Sequence, residues 1–183
     1  MVVEIFGLYN LVEVVWLILP AYAANGLAPL ARGKHCLDGG RTLSDGRSIF
    51  GKGKTWEGSI LGVVAAILVA SIMQFVYPLL PWGTSAVPLT LIPMGPVVGA
   101  LLGLGAIVGD LIGSFLKRRL GLQRGHPVPV LDQLDFIVGS FVFVSIVFPA
   151  SISWLILLVI VTPFFHLSAN YMAFLLGIKK EPY

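Results

Sequence analysis

The sequence predicts an all-α integral membrane protein, a bundle of five transmembrane helices, and three observations support this. Of 183 residues, 57% are hydrophobic and only 11% are charged, with a mean hydropathy of +0.93. A soluble domain carries roughly 25% charged residues. Five apolar stretches come near the roughly 20 residues that a spanning helix needs. The cations fall in clusters separated by connections that contain no Lys or Arg. The length suits one membrane-embedded domain over residues 1–183, with no separate soluble domain. A lone Cys36 excludes an intrachain disulfide and a multi-cysteine zinc site. A net charge of +3 would suggest nucleic acid in a soluble protein. Here membrane topology explains the basic residues, so no nucleic-acid partner is expected, nor an obligate protein partner.

In chain order the spans are expected at about Ile5 to Ala24, Ser59 to Tyr77, Ile92 to Leu116, Val130 to Phe148 and Ile152 to Gly177. The first is not read as a cleavable signal. No basic segment precedes it, and Glu4 and Glu13 flank or interrupt it. The fourth has the shortest purely apolar part, Phe136 to Phe148, and spans only if Asp132 and Asp135 lie inside the helix near its polar end. Arg32, Lys34, Arg41, Arg47, Lys52 and Lys54 lie between spans one and two. Lys117, Arg118, Arg119 and Arg124 lie between spans three and four, and Lys179 and Lys180 follow span five. With five spans, all twelve cations fall on one side. The positive-inside rule makes that side cytoplasmic, with the amino terminus outside and the carboxyl terminus inside. The expected location is a multi-pass cell-membrane protein whose active site faces the cytoplasm.

The stretch Gly109 to Phe136 concentrates the chemistry. Asp110, Ser114 and Lys117 are spaced four and three apart, which puts them on one helical face. Asp132 and Asp135, three apart, do the same on the next helix. Between them Gly121, Gly125, Pro127 and Pro129 break and turn the chain. Carboxylates in membrane helices are costly and face a partner, a metal or water. Three converging on one hairpin point to a divalent-cation site. Asp110 lies seven residues before Lys117, so it sits about 10 Å inward along a helix. Asp135 lies at a similar depth in its own helix. Bland readings compete: a lysine-paired structural acid for Asp110, and helix-dipole acids for Asp132 and Asp135.

The connection from Asn25 to Glu57 is glycine-rich and carries six cations, with Asp38 and Asp45 among them. Glycines let backbone approach a phosphate, and lysines oppose its charge. Gly46-RSIF-Gly51-Lys52 follows a phosphate-binding P-loop until Gly53, which should be Ser or Thr, and no strand precedes it. The P-loop reading is therefore rejected. A basic, flexible segment remains, opening span two at Lys54-Thr55-Trp56-Glu57-Gly58. Thr55 is the expected N-cap, and Glu57 sits in the first turn. That helix start presents amides to an anion, so Lys52, Lys54 and Thr55 are read as phosphate-binding. Topology signals and lipid-headgroup contacts are the bland alternative for the loop cations.

Other polar residues are less decisive. Glu13 needs a partner or a proton inside span one. Ala24-Asn25-Gly26 ends span one, with Asn25 in reach of a headgroup. His166 and Asn170 share a face of span five, where inter-helix hydrogen bonding competes with a ligand role. His35 and Cys36 do not amount to a zinc site.

Asp110 with Ser114-Phe-Leu-Lys117-Arg118, followed by Asp132-Gln133-Leu-Asp135, resembles the signature of membrane phosphatidate cytidylyltransferases. Lys54-Thr55-Trp56-Glu57-Gly58 looks like the segment that opens a membrane helix in those enzymes. The compact size, Pro20-Ala-Tyr22-Ala-Ala-Asn25-Gly-Leu-Ala-Pro29 and Asp38-Gly39-Gly-Arg41 look closer to the archaeal branch, the CDP-archaeol synthases. The resemblance covers about residues 20 to 140. It departs from the bacterial enzymes at Gly125-His126-Pro-Val-Pro129, where those have a glycine-histidine-glycine-glycine run, and at Gln133, which replaces a basic residue.

The resemblance implies transfer of CMP from CTP to a lipid phosphate with isoprenoid ether tails, the unsaturated archaetidic acid 2,3-bis-O-geranylgeranylglycerol 1-phosphate. CDP-archaeol and pyrophosphate are the implied products, in ether phospholipid biosynthesis. All the reactants are anions, so charge neutralisation and positioning dominate. One or two Mg2+ ions, which prefer oxygen ligands, are expected on Asp110 and Asp132, with Asp135 a further ligand or a lysine's partner. Lys117, Arg118 and Lys54 are expected on phosphates, Ser114 and Thr55 as hydrogen-bond donors, and Asp38 and Gly39 with the nucleotide. Two rival readings are a CTP-dependent kinase of a polyprenol-type lipid alcohol and a small cation or phosphate transporter.

Overall fold

The computed structural model describes residues 8–80, 89, 91–123, 126, 128–175 and 177. Among these residues are five α-helices: α1 (Leu8–Leu27), α2 (Trp56–Val76), α3 (Pro96–Arg119), α4 (Pro129–Val144) and α5 (Ile152–Leu175). The five apolar stretches are thus five helices. Three of them, α1 to α3, are long and apolar enough to cross a membrane. The fourth differs from expectation. It stops at Val144 rather than Phe148 and has 16 residues, about 24 Å at 1.5 Å per residue against a hydrocarbon core of about 30 Å.

Local chemistry sets the helix ends. The Thr55 hydroxyl accepts from the Gly58 N–H at 3.2 Å, which makes it the N-cap of α2, with Glu57 in the first turn. Pro96 and Pro129 open α3 and α4, at a position where a missing N–H costs nothing. At the end of α3, Gly121 takes a left-handed conformation (φ 78°). There the Gly121 N–H bonds the Arg118 carbonyl, and the Leu122 N–H bonds that of Lys117. This Schellman closure satisfies the last carbonyls and turns the chain towards α4.

The core is shared by all five helices. It includes Val14, Ile18, Ala21 and Ala24 of α1, Ala66 of α2, Ala106 of α3, Phe136, Ile137 and Phe141 of α4, and Leu157 and Leu158 of α5. Tyr22 Oη and Thr162 Oγ1, 2.9 Å apart, tie α1 to α5. Glu13 is buried and has a partner.

The closest approach is between α3 and α4, and glycines make it possible. Gly105, Gly109 and Gly113 recur every four residues and form one stripe on α3. A Cβ on Gly105 would lie 2.6 Å from Ser140 Cα, and one on Gly109 2.8 Å from the Asp135 carbonyl carbon. One on Gly113 would lie 2.9 Å from Asp135 Cβ. Gly139 answers from α4, where an added Cβ would be 2.9 Å from Gly109 Cα. Ser140 Oγ donates across the seam to the Leu102 carbonyl at 3.0 Å.

Gly109→Ala is expected to lower stability by about 1–3 kcal/mol, the range for overpacking. Gly26→Ala, which meets nothing within 4 Å, should change little. Thermal unfolding of the two variants in detergent measures the contrast.

Candidate active site

The α3–α4 seam brings the acids together at the end of the bundle that the 28–55 connection covers. On α3, Asp110 forms an ion pair with Lys54 from that connection. Lys117, two turns further on, pairs at 2.5 Å with Asp132 of α4. The second Asp132 oxygen accepts the Val128 N–H at 3.1 Å, so this acid also caps its own helix. Asp135 lies against Gly113, within electrostatic reach of Asp110, Asp132 and Lys54. The spacing correctly placed Asp110, Ser114 and Lys117 on one face of α3, and turned Asp132 and Asp135 towards it. The pairings cross between elements: each of Asp110 and Asp132 has its own lysine.

Two hollows flank Lys54. One, of about 80 Å³, is lined by Asn25, Lys54, Thr55, Ser59, Asp110 and neighbouring apolar atoms. The other, of about 140 Å³, is lined by Phe50, Gly51, Gly53, Lys54, Ser114, Lys117 and Arg118. Ser114 is buried at its wall. Arg118 donates to the Leu122 carbonyl, which fixes the guanidinium beside the second hollow. Asn25, assigned from sequence only to a headgroup, lies in the first hollow with Lys54 and Asp110. Ser59 was not singled out as a site residue from sequence, and Phe50 and Gly51 entered only through the rejected P-loop match. Lys52 is exposed and lines neither hollow. The side chains of His166 and Asn170, and residues Arg124, Lys179 and Lys180, lie outside the described residues.

The connection is an ordered cap, where the sequence reading expected a flexible segment. Asp38 organises it. One carboxylate oxygen accepts the Gly40 N–H at 2.9 Å, and the other accepts those of Phe50 and Gly51 at 3.0 Å each. Burial opposes ionisation of this carboxyl, but the backbone donors outweigh it and hold its pKa below the ordinary range. Gly39, exposed with φ 58°, supplies the left-handed turn beside it. A short bridge, Thr42 to Ser48, closes the next loop. That loop is fastened to the end of α3. Arg119 binds Asp45 at 2.6 Å and the Ser48 carbonyl at 2.5 Å, while Arg47 donates to the Arg119 carbonyl at 2.5 Å. On the other flank Glu57 accepts from the Lys34 N–H at 3.2 Å and contacts His35 Nδ1 at 2.6 Å. The segment therefore presents Lys54 to Asp110 from a fixed frame.

Comparison with known proteins decides the family. The family model for CarS-like CDP-archaeol synthase matches residues 7–183. The chain belongs to the CDP-archaeol synthase family. It is 44% identical to the CDP-archaeol synthase of Methanococcus aeolicus over 88% of this chain and 90% of that protein. It is 42% identical to that of Thermococcus kodakarensis over 92% and 94%, and 40% identical to that of Halobacterium salinarum over 95% and 97%. Among solved structures it is similar to an intramembrane enzyme for archaeal membrane lipid biosynthesis, with a TM-score of 0.67 and 35% identity over 87% of this chain and 93% of that one. The chain is therefore an enzyme and a membrane protein, and the family expected from the motifs is the family found.

Because folding lowers the Asp38 pKa, its stabilising effect is present above the ordinary carboxylate range and is lost as pH falls through the folded value. Hydrogen exchange at the Phe50 and Gly51 amides, corrected for intrinsic rates, should lose protection on acidification. Asp38→Asn should abolish that pH dependence; an unchanged profile would remove Asp38 as the loop's organiser.

Proposed function

We propose that this chain catalyses Mg2+-dependent transfer of CMP from CTP to a lipid phosphate with isoprenoid ether tails, giving CDP-archaeol and pyrophosphate. The observation that carries the reading is the pairing of two acids from adjacent helices with two lysines, beside the hollow formed by Ser114 and Arg118. Basic residues from the 28–55 connection and the end of α3 meet at one end of the bundle. That grouping supports a cytoplasmic position for this end, with five spans, the amino terminus outside and the carboxyl terminus inside.

Asp110, Asp132 and Asp135 offer the hard oxygen donors that Mg2+ prefers. Among the described residues no group of three such donors is gathered as a ready cage. That agrees with an ion held by one or two carboxylates together with substrate phosphates and water. Asp110 and Asp132 each already hold a lysine ammonium, which supports positions suited to a cation. Asp110 with Asp135 would hold it directly, and Asp132, at the start of α4, would act on it through bound water or phosphate. Bound there, Mg2+ would neutralise the phosphate charge and align the attacking and leaving oxygens.

The chain's own residues do the remainder. An oxygen of the lipid phosphate attacks the α-phosphorus of CTP, and the bond from that phosphorus to the α–β bridging oxygen breaks. Pyrophosphate leaves with the bonding electrons, so no covalent enzyme intermediate is needed. Lys54, Lys117 and Arg118 bind phosphate oxygens, the two lysines exchanging a carboxylate for a phosphate as substrate enters. Ser114 donates a hydrogen bond at the wall of the second hollow. Thr55 keeps its capping bond to Gly58 and so holds the backbone turn that carries Lys54. Release of pyrophosphate rather than CDP separates this reaction from the lipid-kinase alternative.

Asp110→Asn should reduce lipid-dependent pyrophosphate release from CTP on the order of 100-fold, the scale seen when a preorganised charge-stabilising group is lost. Near wild-type activity would remove Asp110 from the site. Lys54→Ala should raise the KM for CTP; an unchanged KM returns that residue to a topology role.

A further inference from the structure

On the outer side of the α3–α4 seam runs an apolar groove of about 340 Å³. Gly109, Gly113 and Gly139 line its floor, where the two helices meet, and its walls include Ile112, Val138 and Val142. The three wall residues are all largely exposed, so the groove opens sideways, away from the bundle core. Among the described residues, Asp135 is the only charged one that lines it. From Asp135 to Phe143, at the far end of the groove on α4, the helix rises about 12 Å.

We propose that this groove seats one hydrocarbon tail of the lipid-phosphate substrate, which enters sideways between α3 and α4 with its phosphate at the Asp135 end. The inference rests on the cytidylyltransferase reading and adds where the lipid binds. Continuity argues for it: Asp135 is shared by the groove and by the cluster of Asp110, Asp132 and Lys54. A molecule in the groove therefore reaches the reacting groups without crossing the bundle. Charge argues the same way. A helix of another protein packed here would bury a carboxylate at a desolvation cost. A lipid phosphate brings its headgroup and its counter-cation to that carboxylate and puts only hydrocarbon on the apolar walls. The apolar hollow between α1 and α5, lined by Leu11, Trp16, Phe165 and neighbours, has no such link to the acids.

The seam's glycines acquire a second consequence. Their lack of side chains brings the helices together and also leaves a trough along the line of contact. Val138 and Val142, one turn apart on its edge, set the width available to a tail.

The test uses the full chain in liposomes with two lipid phosphates, one bearing geranylgeranyl ether tails and one bearing short, water-soluble tails. Val138→Trp should lower kcat/KM for the long-tailed substrate by about tenfold or more, with less than about twofold change for the short one, as expected when only apolar pocket contacts are altered. Equal loss on both substrates, or no loss on either, overturns the proposal. A fold defect in the variant is bypassed with wild-type protein and a lipid phosphate carrying a photoreactive tail. Labelling of α3 and α4 peptides around Ile112 and Val142 supports the groove, and labelling confined to other helices overturns it. Failure of the cytidylyltransferase reading looks different, because wild-type protein would then release no pyrophosphate with either lipid. The photolabel still reports on the groove in that case.

Discussion

The near-contact of the α3 and α4 backbones is the constraint on which the rest of the site depends. Helix association in a membrane has little hydrophobic drive, because lipid tails are as apolar as the side chains, so close packing must supply it. Gly105, Gly109, Gly113 and Gly139 allow that packing, and the Ser140 hydroxyl bridges the seam to the Leu102 carbonyl. With wider spacing, Lys117 would not reach Asp132 and Asp135 would not lie within range of Asp110. The same residues that stabilise the bundle therefore set the distances of the site.

That placement has an electrostatic cost, and the 28–55 connection offsets it. Two carboxylates from α3 and α4 lie partly out of water, where each needs a cation. Lys117 comes from α3 itself, but Lys54 comes from a loop, and it is useful only if that loop is held in position. Asp38 gathers the amides of Gly40, Phe50 and Gly51 from inside, and Arg119 and Arg47 fasten the loop to the end of α3 from outside. Thr55 fixes the turn after Lys54. The loop thus completes the charge balance of the acids and forms a wall of both hollows. An anionic substrate would meet cations already aimed at one place, which is the preorganisation that phosphate chemistry rewards.

Function then follows from a border position. In the proposed reaction a nucleotide would reach the acids and lysines through the hollows beside the ordered cap, and the lipid tail would lie in the groove along the seam. A reaction that joins a water-soluble triphosphate to a bilayer-held phosphate needs access from both, and Asp135, which lines the groove and interacts electrostatically with Asp110 and Lys54, links the two.

Much of this was legible in the linear chain. Apolar runs of membrane length located the five helices, and Thr55 before an apolar run marked the start of α2. The rarity of charge in such runs singled out Asp110, Asp132 and Asp135, while Lys117 was marked by sharing a face with Asp110 and Lys54 by opening the second span. Those signals are local, since they depend on periodicity, capping and the cost of a charge among apolar neighbours. Partner choice was not legible. That Asp110 takes Lys54 while Lys117 takes Asp132, that Asn25 belongs to a hollow beside the acids, and that Asp38 serves loop backbone all depend on which faces meet. The short α4 was misjudged because its apolar character continues beyond its last helical turn. Composition and spacing alone determined the helices and the acids, and the resemblance of the motifs to known enzymes pointed to the family. Only the tertiary structure decided the pairings, the hollows and the groove, because distances between elements are set by packing at glycines far apart in the sequence.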